Sequence, residues 1–422
     1  MRWYNRRIWG LKRPKYVVTY PHINFRMNRR SNWRSTNKPY VPGNSAEWME
    51  SGQKYFQKLC DLIDLAEEEI HLQTYIFIDD ETGKKIAKAL IRAAIRGVSV
   101  FILVDAFGSK GISGSCLKSF TDVGIRVKKF GELYSRGRFH IGRRLHRKLL
   151  VIDQKIAVVG GINISDQYAG TKISLPWLDF AVLVSGQICF KLALIGRGRW
   201  KEHVFSKKRL KPLKIPLKFN SVLLRVRRND FIRNQNEITI GYRKAIRRAE
   251  KSILIVGGYF LPGGRTRRLF RNAVRRGVEV KILVAEKSDV GIMVNARKYL
   301  YSWLTENGIK VFEYNPSNVH GKVLVIDNKW TTIGSYDLNN LSSYSNIELN
   351  LDIKNEIFSE NISDYINDLI VHKSNEITLQ STLLQQTIIV KLKCFLAYRF
   401  VKIMFVLTFL LAGKMKEETG KK

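Results

Sequence analysis

Acids are scarce in this chain. Its 422 residues hold 73 Lys and Arg against 36 Asp and Glu, a formal charge of +37. Such an excess repels itself in the folded state and points to a polyanionic partner, either nucleic acid or an anionic membrane. Cysteine is scarce too. Cys60, Cys116, Cys189 and Cys394 never fall at CxxC spacing, which argues against a zinc knuckle and a disulfide scaffold. The N-terminus, MRWYNRRIWGLKRPK, lacks the apolar stretch of a secretory signal, so the default compartment is cytoplasmic. The longest uncharged run of the apolar tail, Ile403 to Gly413, has 11 residues, short of the ~20 that a bilayer span needs. What is abundant is apolar residue, 45% of the chain, which excludes a disordered or fibrous protein. The length fits two or three domains, or one large double domain.

Composition divides the chain. Residues 1–43 form a basic arm; the first forty carry eleven Lys or Arg and no acid, with Trp3, Trp9 and Trp33 among them. Near an anionic surface each such charge contributes about 1 kcal/mol. From residue 44 the pattern becomes globular. EEIHLQTYIF (68–77) reads as a strand, GKKIAKALIRAAIRG (83–97) as a helix and VSVFILVD (98–105) as a buried strand. The order returns in AEKSILIVGGYF (249–260), TRRLFRNAVRRG (266–277) and VEVKILVAE (278–286). Ala66, Ile70 and Phe77 match Ala249, Ile253 and Phe260 at one offset, and GIRVKKF (124–130) echoes GIKVFEY (308–314). A repeat this long exceeds solenoid units of ~20–50 residues. It predicts a duplicated α/β domain, 44–206 and 220–374, with its site at the pseudo-twofold seam. KKRLKPLKIPLKF (207–219), with two prolines and dense lysine, reads as the linker.

The tail, 375–422, changes character again. At ~100° per residue, Lys391, Arg399 and Lys402 lie within an arc of about 80°, while Lys393 falls on the greasy side and must snorkel. One basic stripe on an apolar helix predicts an amphipathic, membrane-associating segment that lies in the interface.

The chemistry sits in a pattern that occurs twice. His146-Arg-Lys148 is followed by Leu-Leu-Val-Ile, Asp153 and, after six more residues, Gly160-Gly161-Ile-Asn163. His320-Gly-Lys322 is followed by Val-Leu-Val-Ile, Asp327 and, after six more residues, Gly334-Ser335-Tyr-Asp337. On a strand, positions i and i+2 share a face, so each half presents an imidazole beside an ammonium. Asp153-Gln154-Lys155 and Asp327-Asn328-Lys329 read as tight turns into a second strand. That strand ends at glycine, where backbone could approach a ligand closely. Two facing copies suit a phosphodiester: lysines and polar donors hold the anionic oxygens, one histidine attacks phosphorus and the other protonates the leaving oxygen. No metal or other cofactor is called for, and no carboxylate cluster to hold one is evident.

At these residues the chain resembles the phospholipase D superfamily, and within it most nearly the bacterial cardiolipin synthases. The likeness spans about residues 44–370. It includes Tyr75-Ile-Phe77 with Asp79, Asp80 and Gly83, the run LVDAFGS (103–109), the block LHRKLLVID–GGIN, and Ser342. The resemblance implies an α/β fold of two phospholipase D-like halves, each a mixed sheet flanked by helices, with one active site at the seam. It implies a covalent phosphohistidine and transfer of a phosphatidyl group between phosphatidylglycerol molecules with release of glycerol. It also implies an acid downstream of each motif that orients that motif's histidine; Asp179 and Glu348 are the matching positions. His146, Lys148, Asp153, His320, Lys322, Asp327, Asp179 and Glu348 are thus the expected catalytic set. Asn163, Ser335 and Asn339 are expected to bind substrate, and His146 to be the nucleophile. Asp337 departs from the family's usual Asn, and a carboxylate facing a phosphate would repel it. Hydrolysis by a phospholipase D, or phosphodiester cleavage by a nuclease of the superfamily, are the alternatives. The greasy tail and the absence of a nucleic-acid module weigh against nucleic acid as partner. The expected location is the inner cell membrane, as a peripheral protein on its cytoplasmic face.

Overall fold

The computed structural model describes residues 38–132, 143–198, 200, 221–384 and 387–420, together with backbone at Tyr134–Ser135 and Arg138–Phe139. The arm up to residue 37 and the linker 207–219 lie outside the described residues.

The duplication read from the sequence is present strand for strand in the two main sheets. In the first half, strands Glu69–Thr74, Ser99–Asp105 and Arg126–Phe130 are parallel and are joined through helices Glu81–Ile95 and Gly114–Asp122. Strand Lys148–Ile152 then runs antiparallel to Glu69–Thr74, and Ile156–Gly160 and Phe180–Gly186 extend the sheet. The second half repeats this with parallel strands Ser252–Gly257, Glu279–Ala285 and Lys310–Tyr314. Antiparallel strands Lys322–Ile326, Trp330–Gly334 and Asn346–Lys354 follow. Continuous apolar runs such as FILV (101–104) and ILVA (282–285) fit strands covered on both faces.

The two mixed sheets join at their edges and pack on each other. Strand Val41–Glu50 pairs with Phe180–Gly186 and, at its start, with Val222–Asp230, which pairs in turn with Asn346–Lys354. One apolar cluster takes residues from both sheets: Leu149, Val151, Val159 and Val182 from the first, Val256, Val323, Ile333 and Leu351 from the second. Two further cores lie beneath the helices of each half. Burial of this interface at roughly 25 cal/mol per Å² holds the halves in register.

The expected boundary at 374/375 shifts by a few residues. Ser374–Ile377 forms an edge strand antiparallel to Lys310–Tyr314 and so belongs to the second half. The tail then forms a long helix, Ile388–Gly420. It packs on helices Gly291–Lys298 and Asn340–Tyr344 of the second half. Cys394, Ala397, Tyr398 and Val401 are buried there, so this face of the tail is part of the protein core. Among the described residues, no helix is long and apolar enough to cross a membrane.

Candidate active site

Each histidine stands just before the strand that carries its lysine. Two short crossings pin these positions across the seam. Leu145 pairs with Ile347, and the His146 amide donates to the Ile347 carbonyl at 3.0 Å. Leu178 pairs with Val319, and the His320 amide donates to the Leu178 carbonyl at 2.8 Å. These crossings exchange the carboxylates. His146 donates from Nδ1 to Glu348 of the second half, with contacts of 3.0 and 3.1 Å to its two oxygens. His320 donates from Nδ1 to Asp179 of the first half at 2.6 Å. Asp179 and Glu348 therefore orient imidazoles, but each serves the histidine of the other half rather than that of its own motif. Since a carboxylate only accepts, both rings carry hydrogen on Nδ1 and leave Nε2 for chemistry.

The lysines complete the centre. Lys148 donates to the His146 carbonyl at 2.8 Å and Lys322 to the His320 carbonyl, each bond tying the ammonium to its own motif. Lys322 also lies 3.5 Å from Asp337. The unexpected Asp337 thus serves as counter-ion to a buried lysine, and the repulsion feared for a phosphate is offset there. The four groups feel one another. Burial and the neighbouring Lys322 charge lower the Lys148 pKa to about 7. Burial, then Lys322 and Lys148, push His320 well below its ordinary value, so its imidazole is neutral. Burial lifts Asp179 to about 6 against the pull of Lys322. Burial also acts to raise Glu348, but the charge and hydrogen bond of His146 and the Ser335 hydroxyl outweigh it, and Glu348 is held below its ordinary value.

Several residues expected in the chemistry are committed elsewhere. Asp153 and Asp327 sit at the far ends of their strands, five residues from the motif lysines, or roughly 17 Å at strand rise. Asp153 accepts the amides of Glu67, Glu68 and Glu69 at 2.8–2.9 Å, and Asp327 those of Glu250, Lys251 and Ser252 at 2.7–3.2 Å. Asp153-Gln154 and Asp327-Asn328 have φ of 50–57°, as a type I′ hairpin turn requires. Both acids, expected in the catalytic set, fasten the hairpin to the start of the first sheet strand in this structure. Asn163 accepts from the Ile76 amide at 3.1 Å and donates to the Tyr168 hydroxyl at 2.7 Å. Ser335 donates to Glu348 at 2.5 Å. Asn339 caps helix Asn340–Tyr344 and donates to the Tyr259 carbonyl. Each of the three is thus engaged within the fold, while the Asn163 and Asn339 amides, with two hydrogens each, keep donor capacity beyond these bonds. The glycine at the strand end has a similar explanation, since a Cβ on Gly161 would collide with the Asp179 carboxylate.

Aromatic side chains supply the part of the lining that motif reading missed. Tyr75 packs edge-on to His146 at 5.1 Å, with Lys148 5.4 Å from its ring centre. Tyr259 does the same for His320 at 5.9 Å and Lys322 at 5.9 Å. Tyr168 covers another edge of His320 at 5.3 Å. The signal was there in TYIF and GGYF, each at the end of a buried strand beside its motif. Among the described residues, no group of three His, Cys, Asp or Glu side chains is placed to hold a metal ion.

Both His–Lys pairs lie in stretches that match a known family. The family profile described as "Cardiolipin synthase, PLD-like domain" matches residues 59–172 and again 242–370. The chain belongs to this phospholipase D-like family. Cardiolipin synthase B of Salmonella typhi is 31% identical over 373 residues, covering 85% of this chain and 88% of that protein. Cardiolipin synthase B of Escherichia coli K12 is 32% identical over 345 residues, 78% of this chain and 81% of its own. Cardiolipin synthase A of Pseudomonas syringae is 31% identical over 338 residues, 78% of this chain and 69% of its own. In fold, the phosphatidylserine synthase of Haemophilus influenzae superposes with a TM-score of 0.71 at 12% identity, covering 89% of this chain and 97% of that one. The expected fold and the repeated domain are both borne out. This phospholipase D-like chain is a cardiolipin synthase-like phosphatidyltransferase by that kinship, and its mechanism is a matter of the geometry above.

Proposed function

We propose that the protein transfers a phosphatidyl group from one phosphatidylglycerol to a hydroxyl of another through a phosphohistidine at His146. The observation that carries this reading is the crossed arrangement, in which each imidazole is held by a carboxylate so that both Nε2 atoms are available at one centre between two lysines. Glu348, firmly ionised, fixes the His146 tautomer and balances the charge its ring acquires on bonding phosphorus. His146 Nε2 bonds phosphorus while the phosphorus–oxygen bond to glycerol breaks. Glycerol leaves with a proton from His320. The phosphodiester is itself an anion, and between Lys148 and Lys322 it counters the charges that hold His320 neutral, so the ring takes up that proton as substrate binds. In the second step His320 removes the proton of the acceptor hydroxyl, whose oxygen bonds phosphorus as the phosphorus–nitrogen bond breaks.

The tail helix supports a membrane-surface location. Leu396, Phe400, Met404 and Leu407 are 43–56% exposed. On a helical wheel they centre about 115° from the docked face of Cys394, Ala397, Tyr398 and Val401, and about 140° from the Lys391–Arg399–Lys402 stripe, which lies on the wide side between the two. One face anchors the helix to the second half and another presents apolar area toward lipid. The protein is then peripheral, on the cytoplasmic face, with a headgroup reaching the seam while its acyl chains stay in the bilayer.

Reactions with phosphorus-labelled phosphatidylglycerol, quenched in denaturing detergent at neutral to alkaline pH so that a phosphorus–nitrogen bond survives, test the chemistry. Label should remain on the wild-type protein and on His320→Ala with an activated donor, and be absent from His146→Ala. Label on His146→Ala together with its loss from His320→Ala would reverse the two roles.

A further inference from the structure

The two halves differ at the rim of the site. In the first half, the loop after strand Ser99–Asp105 exposes Phe107. Lys110 lies 4.4 Å and the Arg144 guanidinium 5.0 Å from its ring centre. Arg144 is two residues before His146, so this rim is cationic. In the second half, the corresponding loop after Glu279–Ala285 carries Asp289. The Tyr259 hydroxyl donates to its two oxygens at 2.8 and 2.9 Å, and the Ser288 hydroxyl to Oδ1 at 2.9 Å. The ring of Tyr259 lies against His320 and Lys322. The exposed Asp289 carboxylate therefore stands one tyrosine ring away from the general acid–base of the proposed reaction. At the repeat-related position the first half has Ser109, which is buried and turned inward to the Tyr75 carbonyl.

Transfer between two molecules needs two receptions of different chemistry. The phosphodiester of the donor seeks cations, whereas the glycerol end of the acceptor, itself a phosphatidylglycerol, offers hydrogen-bond donors. A carboxylate repels the first and accepts from the second. An ionised carboxyl has about four acceptor sites; Tyr259 and Ser288 leave capacity for a further donor. Resting on the transferase reading above, we infer that Asp289, steadied by Tyr259, is a specificity-determining residue on the acceptor side. It accepts a hydrogen bond from a second hydroxyl of a polyol headgroup and so turns the attacking hydroxyl toward His320. The substrate class thus selected is an acceptor with adjacent hydroxyls, as in a glycerol headgroup, over a simple alcohol.

The test uses the full-length protein in mixed micelles with phosphatidylglycerol and compares carbon-labelled glycerol with carbon-labelled ethanol as acceptor, reading the label that enters lipid; a parallel reaction with phosphorus-labelled donor gives attachment to the protein. For Asp289→Ala the ratio of glycerol to ethanol transfer should fall on the order of tenfold, the worth of one hydrogen bond to a charged group. The loss should appear in the KM for glycerol rather than in kcat, with the rate of label attachment as internal reference, and Asp289→Glu should recover most of it. Equal losses with both alcohols would mean that Asp289 only holds Tyr259 in place, and an unchanged ratio would mean that it does not meet the acceptor; either overturns the inference while leaving the transferase reading intact. Donor turnover by the wild type with no transfer to either alcohol would overturn both.

Discussion

The two halves are near copies of one machine, and their differences are concentrated at a few positions. Both build His–Lys pairs on a strand, both close the strand with an Asp-led turn, and both send a carboxylate across the seam. They part at Asn163 and Asp337, which are repeat-related. In the second half Asp337 faces Lys322 at 3.5 Å. In the first half Asn163 stands there, uncharged and bonded to Tyr168, and Lys148 is pushed down to about 7 by burial and by Lys322. A duplicated fold has thus made one lysine a paired cation and the other a titratable one. The carboxylates differ in the same sense, with Asp179 lifted to about 6 by burial and Glu348 held low by His146 and Ser335. The comparison teaches that the pseudo-twofold governs placement, while single side chains assign unequal duties to equivalent atoms.

Exchanging the orienting acids should break that symmetry most sharply. Glu348→Gln and Asp179→Asn each remove the charge that fixes a tautomer, and each should cost on the order of 10³-fold or more in turnover. They should separate with a donor whose leaving group departs without a proton, such as a nitrophenyl phosphodiester. Asp179→Asn, which weakens the proton donor, should then regain label on the protein, and Glu348→Gln should not. Recovery by Glu348→Gln instead would place the nucleophile at His320. The pH profile of kcat/KM carries the same asymmetry. Asp179 must be ionised to hold His320, so activity should fall as pH drops through about 6. Lys148 must be charged to hold phosphate, so activity should also fall as pH rises above about 7. Asp179→Asn should abolish the acid limb, and a limb that persists unchanged would detach it from this residue.

Much of this architecture is legible in the sequence because local rules govern it. Strand alternation places His and Lys together, and the constant offset between Ala66, Ile70, Phe77 and their repeats reveals the duplication. The Asp-led turns read correctly from residue type alone. The exchange of Asp179 and Glu348 does not read, since it depends on which edges of the two sheets join, and the joining strand Val41–Glu50 has no motif. The partners that Asn163, Ser335 and Asn339 take within the fold do not read either, because a sequence shows polar atoms without their partners. The tail shows a related limit. Helical periodicity separates its basic stripe from its apolar residues but cannot divide the apolar residues between core and lipid, which select the same side chains.

The motif aspartates sharpen the comparison at an intermediate scale. Asp153→Asn and Asp327→Asn retain one acceptor oxygen in place of a carboxylate that collects three backbone amides. Each should cost about 1–3 kcal/mol of stability, seen as a lower denaturant midpoint. Turnover per folded molecule should stay within a few-fold of wild type. A loss of label attachment without a loss of stability would return these acids to the chemistry.

The smallest effect belongs to the tail, and it asks whether its two apolar faces do different things. Deleting the helix would be a blunt test, because it would uncover the core that Tyr398 and Val401 close; Tyr398 stacks on Tyr299 at 4.6 Å. Substitution by face is cleaner. Tyr398→Ser with Val401→Ser should lower stability by a few kcal/mol, as large-to-small core changes do. Phe400→Ser with Leu407→Ser alters side chains already exposed by about half, so melting should be unchanged. On phosphatidylglycerol vesicles each of these two should forfeit about 1 kcal/mol of apolar burial. Partitioning should then fall roughly tenfold or somewhat more. High salt makes the difference visible, because it screens Lys391, Arg399 and Lys402 and leaves the apolar contribution to hold the protein. Activity on vesicles should drop with partitioning, while activity on detergent-dispersed lipid should hold, since the seam itself is untouched. If the exposed-face variant stays on vesicles in high salt as the wild type does, lipid is not what that face meets.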